Sequence, residues 1–319
     1  MTQMQCWIDQ GGGRTWKLPT AMSWEFCYGT DTPCDSFSMR CLWDRGQEKL
    51  LSNACRFFAE WEGERVFTGV VDEFAVLCGK DGLYLELAGR GMAALLLDNE
   101  AMPAEYQRAT RADIVADHVT PYGIETVGGR GLSPVAGFTV SSGESEWSVV
   151  RQFACYYGGV VPRFDRMGRL VLDPHSDKRA VRIGDKDNVT GWEYREERHG
   201  VLSQVAVRRR TTWGTQWVSD QDFIAQGGCA RRVITVPNTT GSTAMRYTAD
   251  YQLRAARRER VRMRITAAGG FLAWPGDLAE VSLEGFGANE RYRVAQTEVS
   301  CGSGGLSTTL VLGEPDAMI

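Results

Sequence analysis

Residues 22–28 read MSWEFCY, in which Met22, Trp24, Phe26 and Tyr28 alternate with Ser23, Glu25 and Cys27. A period of two in bulky side chains turns one face of a strand toward a core, and it is incompatible with a helix. Phe37, Met39 and Cys41 repeat the pattern ahead of the turn Asp44-Arg45-Gly46. Residues 56–61 lead through Glu62-Gly63-Glu64 into residues 66–71. Leu83, Leu85 and Leu87 then alternate with Tyr84 and Glu86 after Gly79-Lys80-Asp81-Gly82. Strands this closely spaced, with turn residues between them, predict a small barrel or sandwich over residues 1–89. Trp24, Trp43 and Trp61 are expected to be core or interface mass.

At Gly89-Arg90-Gly91 the pattern changes. Residues 92–97 predict a helical turn or two, and residues 110–122 predict a helix. Thr110 is its N-cap, Asp113 takes the capping-box position and Gly123 is the stop. Ile114, Val115, His118, Val119 and Tyr122 face inward. His118 is expected to be packed, with no partner carboxylate at a helpful spacing. A strand over 124–127 follows.

Residues 141–174 repeat this logic. Ser141-Ser142-Gly143-Glu144 matches an S-x-x-E capping box, and Trp147, Val150, Phe153, Ala154 and Tyr157 recur at helical spacing. Glu144 and Glu146 belong at the helix N-terminus. Gly158-Gly159 ends the helix, and residues 160–164 and 169–172 form a hairpin about Asp165-Arg166-Met167-Gly168. Residues 90–185 therefore predict a mixed α+β domain.

From residue 186 the β signals return, at 189–194, 201–208, 261–266, 278–283, 292–300 and 306–312. Val201, Ser203, Val205 and Val207 share one face. Thr248 is expected to cap a basic helix over 249–260. Residues 211–242 are polar and rich in glycine and threonine, broken by an apolar strand at 233–236. They predict a surface insertion that stays mobile until bound. The expected fold class is α+β, mainly β: two tube-like β-barrel or sandwich domains, 1–89 and 186–319, bracketing the mixed domain 90–185.

Several functions are disfavoured. No apolar run approaches the ~20 residues that span a bilayer. The N-terminus lacks a basic stretch followed by an apolar one, so a soluble, cytoplasmically made protein is expected. The 9 cysteines include no C-x-x-C, and the 3 histidines are scattered, which disfavours a metal site. Reduced, buried thiols are expected. There is no G-x-S-x-G elbow, H-E-x-x-H or P-loop, and Gly89-Arg90-Gly91 is two glycines short of a phosphate cradle. No catalytic, cofactor-binding or metal-binding residue is assigned.

Charge is uneven. Residues 186–264 hold 15 Lys/Arg and 8 Asp/Glu, a net +7 in a chain of −4. Arg208, Arg209 and Arg210 beside Trp213 and Trp217 have the composition of phosphate clamps and stacking platforms. Arginines at mixed spacing over 254–264 fit a solvated face or an acidic partner as well. With Trp274, these five residues form the candidate assembly interface, since aromatic anchors are the usual hot spots of protein contacts.

The order of motifs resembles the baseplate hub proteins of contractile phage tails. The matching stretches are Gly89-Arg90-Gly91, the helix and strand of 110–127, and a G-E-x-x-[WF] helix and hairpin over 143–172. An Ala/Arg-rich helix, a W-P-G-D-x-x-x-V turn over 274–281, and strands Y-x-V and T-x-L-x-L at 292–294 and 308–312 complete it. The stretch 211–236 matches least. The resemblance implies a homotrimer whose six tube-like domains form a pseudo-sixfold ring joining the tail tube protein to a threefold central spike protein. It implies contacts with other baseplate or tape-measure components, and a place in a virion or tail-like particle assembled in a bacterial host. The spike is expected to be a separate polypeptide. A nucleic-acid-binding module and a cell-wall hydrolase are the alternative classes.

Overall fold

The computed structural model describes residues 4–11, 14–30, 35–44, 48–80, 82–175, 177, 180–211, 214–258, 260–285 and 290–315. Strands dominate, as expected. A 13-stranded sheet draws on both ends of the chain. Its N-terminal half orders Ala21–Gly29, Ser36–Leu42, Gly82–Gly91, Glu64–Gly79, Arg56–Trp61, Gln5–Asp9 and Thr15–Lys17. Its C-terminal half orders Val189–Glu196, Val261–Ala268, Gly305–Gly313 and Glu290–Gly302, with Leu278–Ser282 beside the last and Ala180–Gly184 beyond it. The halves meet where Ala21–Gly29 pairs antiparallel with Glu290–Gly302, Trp24 opposite Cys301 and Phe26 opposite Val299. Among the described residues the path stays open at both ends, so this sheet forms no closed barrel.

Trp24, Phe26 and Tyr28 are buried with Phe37, Met39, Phe57, Phe67, Leu85 and Leu87 in an aromatic first core. Met22 is 51% exposed, against its period. A bulge between Ala21 and Ser23 inserts Met22 as an extra residue and breaks the alternation. The Gly89-Arg90-Gly91 motif serves close packing. A Cβ on Gly89 would lie 2.0 Å from the Val70 carbonyl oxygen. Arg90 clamps Asp72 at 2.7 Å and Asp98 at 2.6 Å.

In the middle of the chain, the helix Arg111–His118 carries both bonds of the Thr110–Asp113 capping box, and Gly123 turns left-handed at φ 70°. The second capping box does not form. Gly143 has φ 85°, which no helical residue adopts, so Ser141 and Glu144 sit in a turn. The helix starts instead at Glu146, where the Ser145 hydroxyl accepts from the Ser148 N–H. After Arg151 it widens into a π-helix, Gln152–Tyr157, and Phe153, Ala154 and Cys155 are buried consecutively. The hairpin pairs Arg163–Phe164 with Leu170–Val171, and Trp147 packs against Phe164 with ring centroids 6.0 Å apart.

Residues 211–242, expected as a polar insertion with one strand at 233–236, contain that strand and further regular structure. Apart from Thr212 and Trp213, which lie outside the described residues, they build Thr215–Ser219, the helix Gln221–Ala225 and Arg231–Val236. Both strands flank Gln204–Arg209 in a separate three-stranded sheet. That central strand was expected in the second barrel, but its apolar run needs partners on both sides and finds them here. Nor does Thr248 cap a helix. The helix runs Ser242–Arg257, and the Thr248 hydroxyl donates to the Ala244 carbonyl one turn back at 2.8 Å. The eight cysteines among the described residues are free thiols, but Cys55, Cys78 and Cys229 are exposed rather than buried, and Cys34 lies outside the described residues.

Trp147 fills the space between its helix and the hairpin and is 6% exposed. Trp147→Ala should cost ~3–5 kcal/mol, as large aromatic truncations in cores do. Chemical denaturation measures it, and an unchanged midpoint would show that the indole bears no packing load.

Candidate assembly interface

Register assigns the faces of the three-stranded sheet. Trp217, Ala206 and Val233 are in line across it, as are Thr215, Arg208 and Thr235, and Ser219, Gln204 and Arg231. The opposite face carries Val218, Val205, Val207, Ile234 and Val236, which pack on Met245, Ala249 and Leu253 of the helix Ser242–Arg257. The unit is thus two layers, with one sheet face turned outward. On that face Trp217 is 53% and Val233 56% exposed, and the Arg231 guanidinium lies 5.3 Å from the Trp217 ring centre. A cation stacked on a partly exposed indole beside an aliphatic side chain suits a protein surface of mixed character.

The expected interface residues are only partly brought together. Arg208 shares the outer face with Trp217 and its Nε donates to Thr235 Oγ1 at 3.4 Å. Arg209, one residue on, points to the helix side, where its Nε donates to the Thr240 carbonyl at 3.0 Å. Arg210 follows the strand, its N–H donating to the Val236 carbonyl at 3.1 Å. Trp213 lies outside the described residues. Trp274 belongs elsewhere: half-buried against the first core, it stacks on Phe271 at 5.3 Å, meets Tyr28 edge-on at 5.1 Å and lies 4.4 Å from the Arg166 guanidinium.

An ionic joint fixes the two-layer unit against the large sheet. Arg257 reaches Asp220 at 3.3 Å and also pairs with Glu314. Arg260 reaches Glu196 at 3.5 Å, Glu314 at 3.7 Å and Gln226 at 2.7 Å, and lies over the Phe223 ring. A second buried centre surrounds Arg293, which is 1% exposed. Its Nη1 donates to Asp177 Oδ1 and to the Gly276 carbonyl, each at 2.8 Å, and its Nε to the Pro315 carbonyl at 2.9 Å. Gly276 must be glycine: φ is 92°, and a Cβ would fall 2.0 Å from the His175 ring.

Beside this centre is a cavity of about 250 Å³ where three parts of the chain meet, lined by Tyr28, Asp35, Phe164, Arg166, His175 and Trp274 among others. Burial pushes the Asp35 carboxyl up to about 7, against the opposing pull of the Gly29 N–H. Burial, with Arg163 and Arg293 nearby, pushes the His175 imidazole down to about 4. Sequence reading missed Asp35, His175 and Arg293, because an isolated polar residue carries no periodic signal of burial.

His118 is packed as expected, but it does have a partner. Its Nδ1 lies 2.6 Å from Glu146 Oε2 in a chain of hydrogen bonds, Asp117–Tyr106–His118–Glu146–Tyr122. The contact spans 28 residues and so lies outside helical spacing. It brackets two helices together. Among the described residues no group of three or more His, Cys, Asp or Glu is placed to hold a metal.

Native Asp35 keeps its proton to about pH 7, whereas an unfolded Asp loses it near 4. The native state then binds more protons between those values, so stability falls as pH rises through that window. Asp35→Asn stays neutral and keeps an acceptor for Gly29. Its melting temperature should exceed that of the parent at pH 8, and the gap should close as the pH falls to 4. An equal offset at both pH values would remove the buried-acid reading.

No family model and no curated protein matches the chain. Solved structures do. The 43 kDa tail protein of prophage MuSo2 from Shewanella oneidensis has a TM-score of 0.79 at 18% identity, over 99% of both chains. The tail protein from Neisseria meningitidis MC58 has a TM-score of 0.79 at 17% identity, also over 99% of both chains. An E. coli component of the type VI secretion system, described as structurally similar to the T4 bacteriophage tail proteins gp27 and gp5, has a TM-score of 0.58 at 11% identity, over 92% of this chain and 73% of its own. From end to end, the chain has the fold of the prophage tail proteins.

Proposed function

We propose that this chain is the baseplate hub subunit of a contractile tail, a non-catalytic homotrimer whose ring joins the sixfold tail tube to the threefold central spike. The observation that carries the reading is the end-to-end likeness to prophage tail proteins, in a chain whose β structure comes in two halves on either side of an α+β insert. In this reading residues 1–89 and 186–319 are the two tube-like domains, 90–185 is the insert and 211–242 is an elaboration of the second domain. Three such subunits present six similar lobes, and cyclic closure needs only one repeated contact. The likeness to a type VI secretion component supports a spike partner. Tail tube protein, central spike and other baseplate or tape-measure components are the partners, and the site of action is a virion or tail-like particle assembled in the host cytoplasm.

The nucleic-acid reading loses its compact clamp, because Arg209 turns to the helix side of the sheet, away from Arg208 and Trp217.

Light scattering over a concentration series should give a trimeric mass, alone or with the spike protein, and electron micrographs should show rings. A strict monomer that binds neither itself nor the spike would overturn the reading. The outer face of the three-stranded sheet is proposed to meet an adjoining tail component. Trp217→Ser should keep the parent melting temperature and reduce incorporation into tails on co-expression. Normal incorporation would remove this face from assembly.

A further inference from the structure

The strand Val189–Glu196 ends the large sheet. It pairs on one side only, with Val261–Ala268, so among the described residues its other edge is open. Seven of its eight residues are exposed. Register places Trp192 opposite Ile265 and Tyr194 opposite Met263. Ile265 and Met263 are wholly buried in the second core, whereas Trp192 is 40% and Tyr194 39% exposed on the same sheet face. The core-facing surface thus continues onto this strand, with two partly exposed aromatic side chains on it. Glu193 and Arg195 fall on the opposite face, opposite Arg264 and Arg262.

An eight-residue edge with exposed aromatics is a template for pairing with another chain. Resting on the hub reading, we propose that this edge is the seam of the ring, covered by the first β unit of a second copy of this chain. Two features favour that occupant. The far end of the same sheet, Thr15–Lys17, is a short and different edge, so contact between unlike ends is head-to-tail and can close a ring. The charges are also complementary: residues 186–264 carry a net +7, while residues 1–89 hold 13 acidic and 8 basic residues, a net −5. A copy meeting its neighbour this way sets the acidic unit against the basic segment at every contact. The seam should therefore weaken with salt.

Two measurements test it. Sedimentation of Trp192→Glu/Tyr194→Glu against the parent should show self-association at least about 30-fold weaker, the loss expected of one aromatic hot spot or more. Hydrogen exchange of the unaltered protein should show the amides of 189–196 protected in the assembled state and fast on dilution to monomer. This second measurement stands even if the double variant fails to fold. An assembled parent whose edge amides exchange fast, or are protected only when tube or spike protein is added, overturns the seam and leaves the ring intact. A folded double variant that assembles like the parent does the same. A parent that never self-associates, with or without spike, overturns both.

Discussion

One ladder holds the two ends of this chain together: Ala21–Gly29 against Glu290–Gly302, from Gly29 opposite Gln296 to Trp24 opposite Cys301. It turns two β halves into one sheet and encloses everything between as an insertion. The entropy of closing so long a loop grows only with the logarithm of its length, about 0.6 kcal/mol per doubling, so a large insert costs little once the ladder exists. The aromatic first core depends on the same pairing. Phe271 and Trp274, from the C-terminal half, stack beside Trp24, Tyr28 and Trp61 of the N-terminal half. Phe271 takes φ 51°, a conformation that costs a bulky residue roughly 1–3 kcal/mol and persists only where the surroundings dictate it. Here the surroundings are the indoles on either side.

The arginines act as mortar between units. Arg293 binds the segment before Ala180, the Trp274–Gly276 turn and the C-terminal residues through one buried guanidinium. Arg257 and Arg260 tie the three-stranded unit to the large sheet through Asp220, Glu196 and Glu314. A planar fork with five donors suits such joints, because one side chain can satisfy several strands' worth of acceptors at once. Part of the arginine content of residues 186–264 is to this extent architectural. What remains of it on the surface bears on partner choice more than on the fold.

Local pattern was enough to find most strands of the N-terminal half, though not Gln5–Asp9 or Thr15–Lys17, together with the Thr110 cap and the Gly158-Gly159 stop. Each depends on residues near one another in sequence, where period, cap chemistry and glycine conformation act directly on the backbone. The order of short motifs also pointed to the tail-protein fold that the solved structures share. Tertiary structure decided the rest. It set which strands pair, bulged Met22 out of its period, withdrew Gln204–Arg209 into a second sheet and turned the insertion 211–242 into that sheet's flanks. It gave His118 its carboxylate, half-buried Asp35, buried Arg293, and put Arg208 and Arg209 on opposite faces. The reason is the same throughout. Periodicity specifies which face of an element is apolar, but the partner that covers that face, and the polar atom that meets a buried charge, come from chain segments tens to hundreds of residues away.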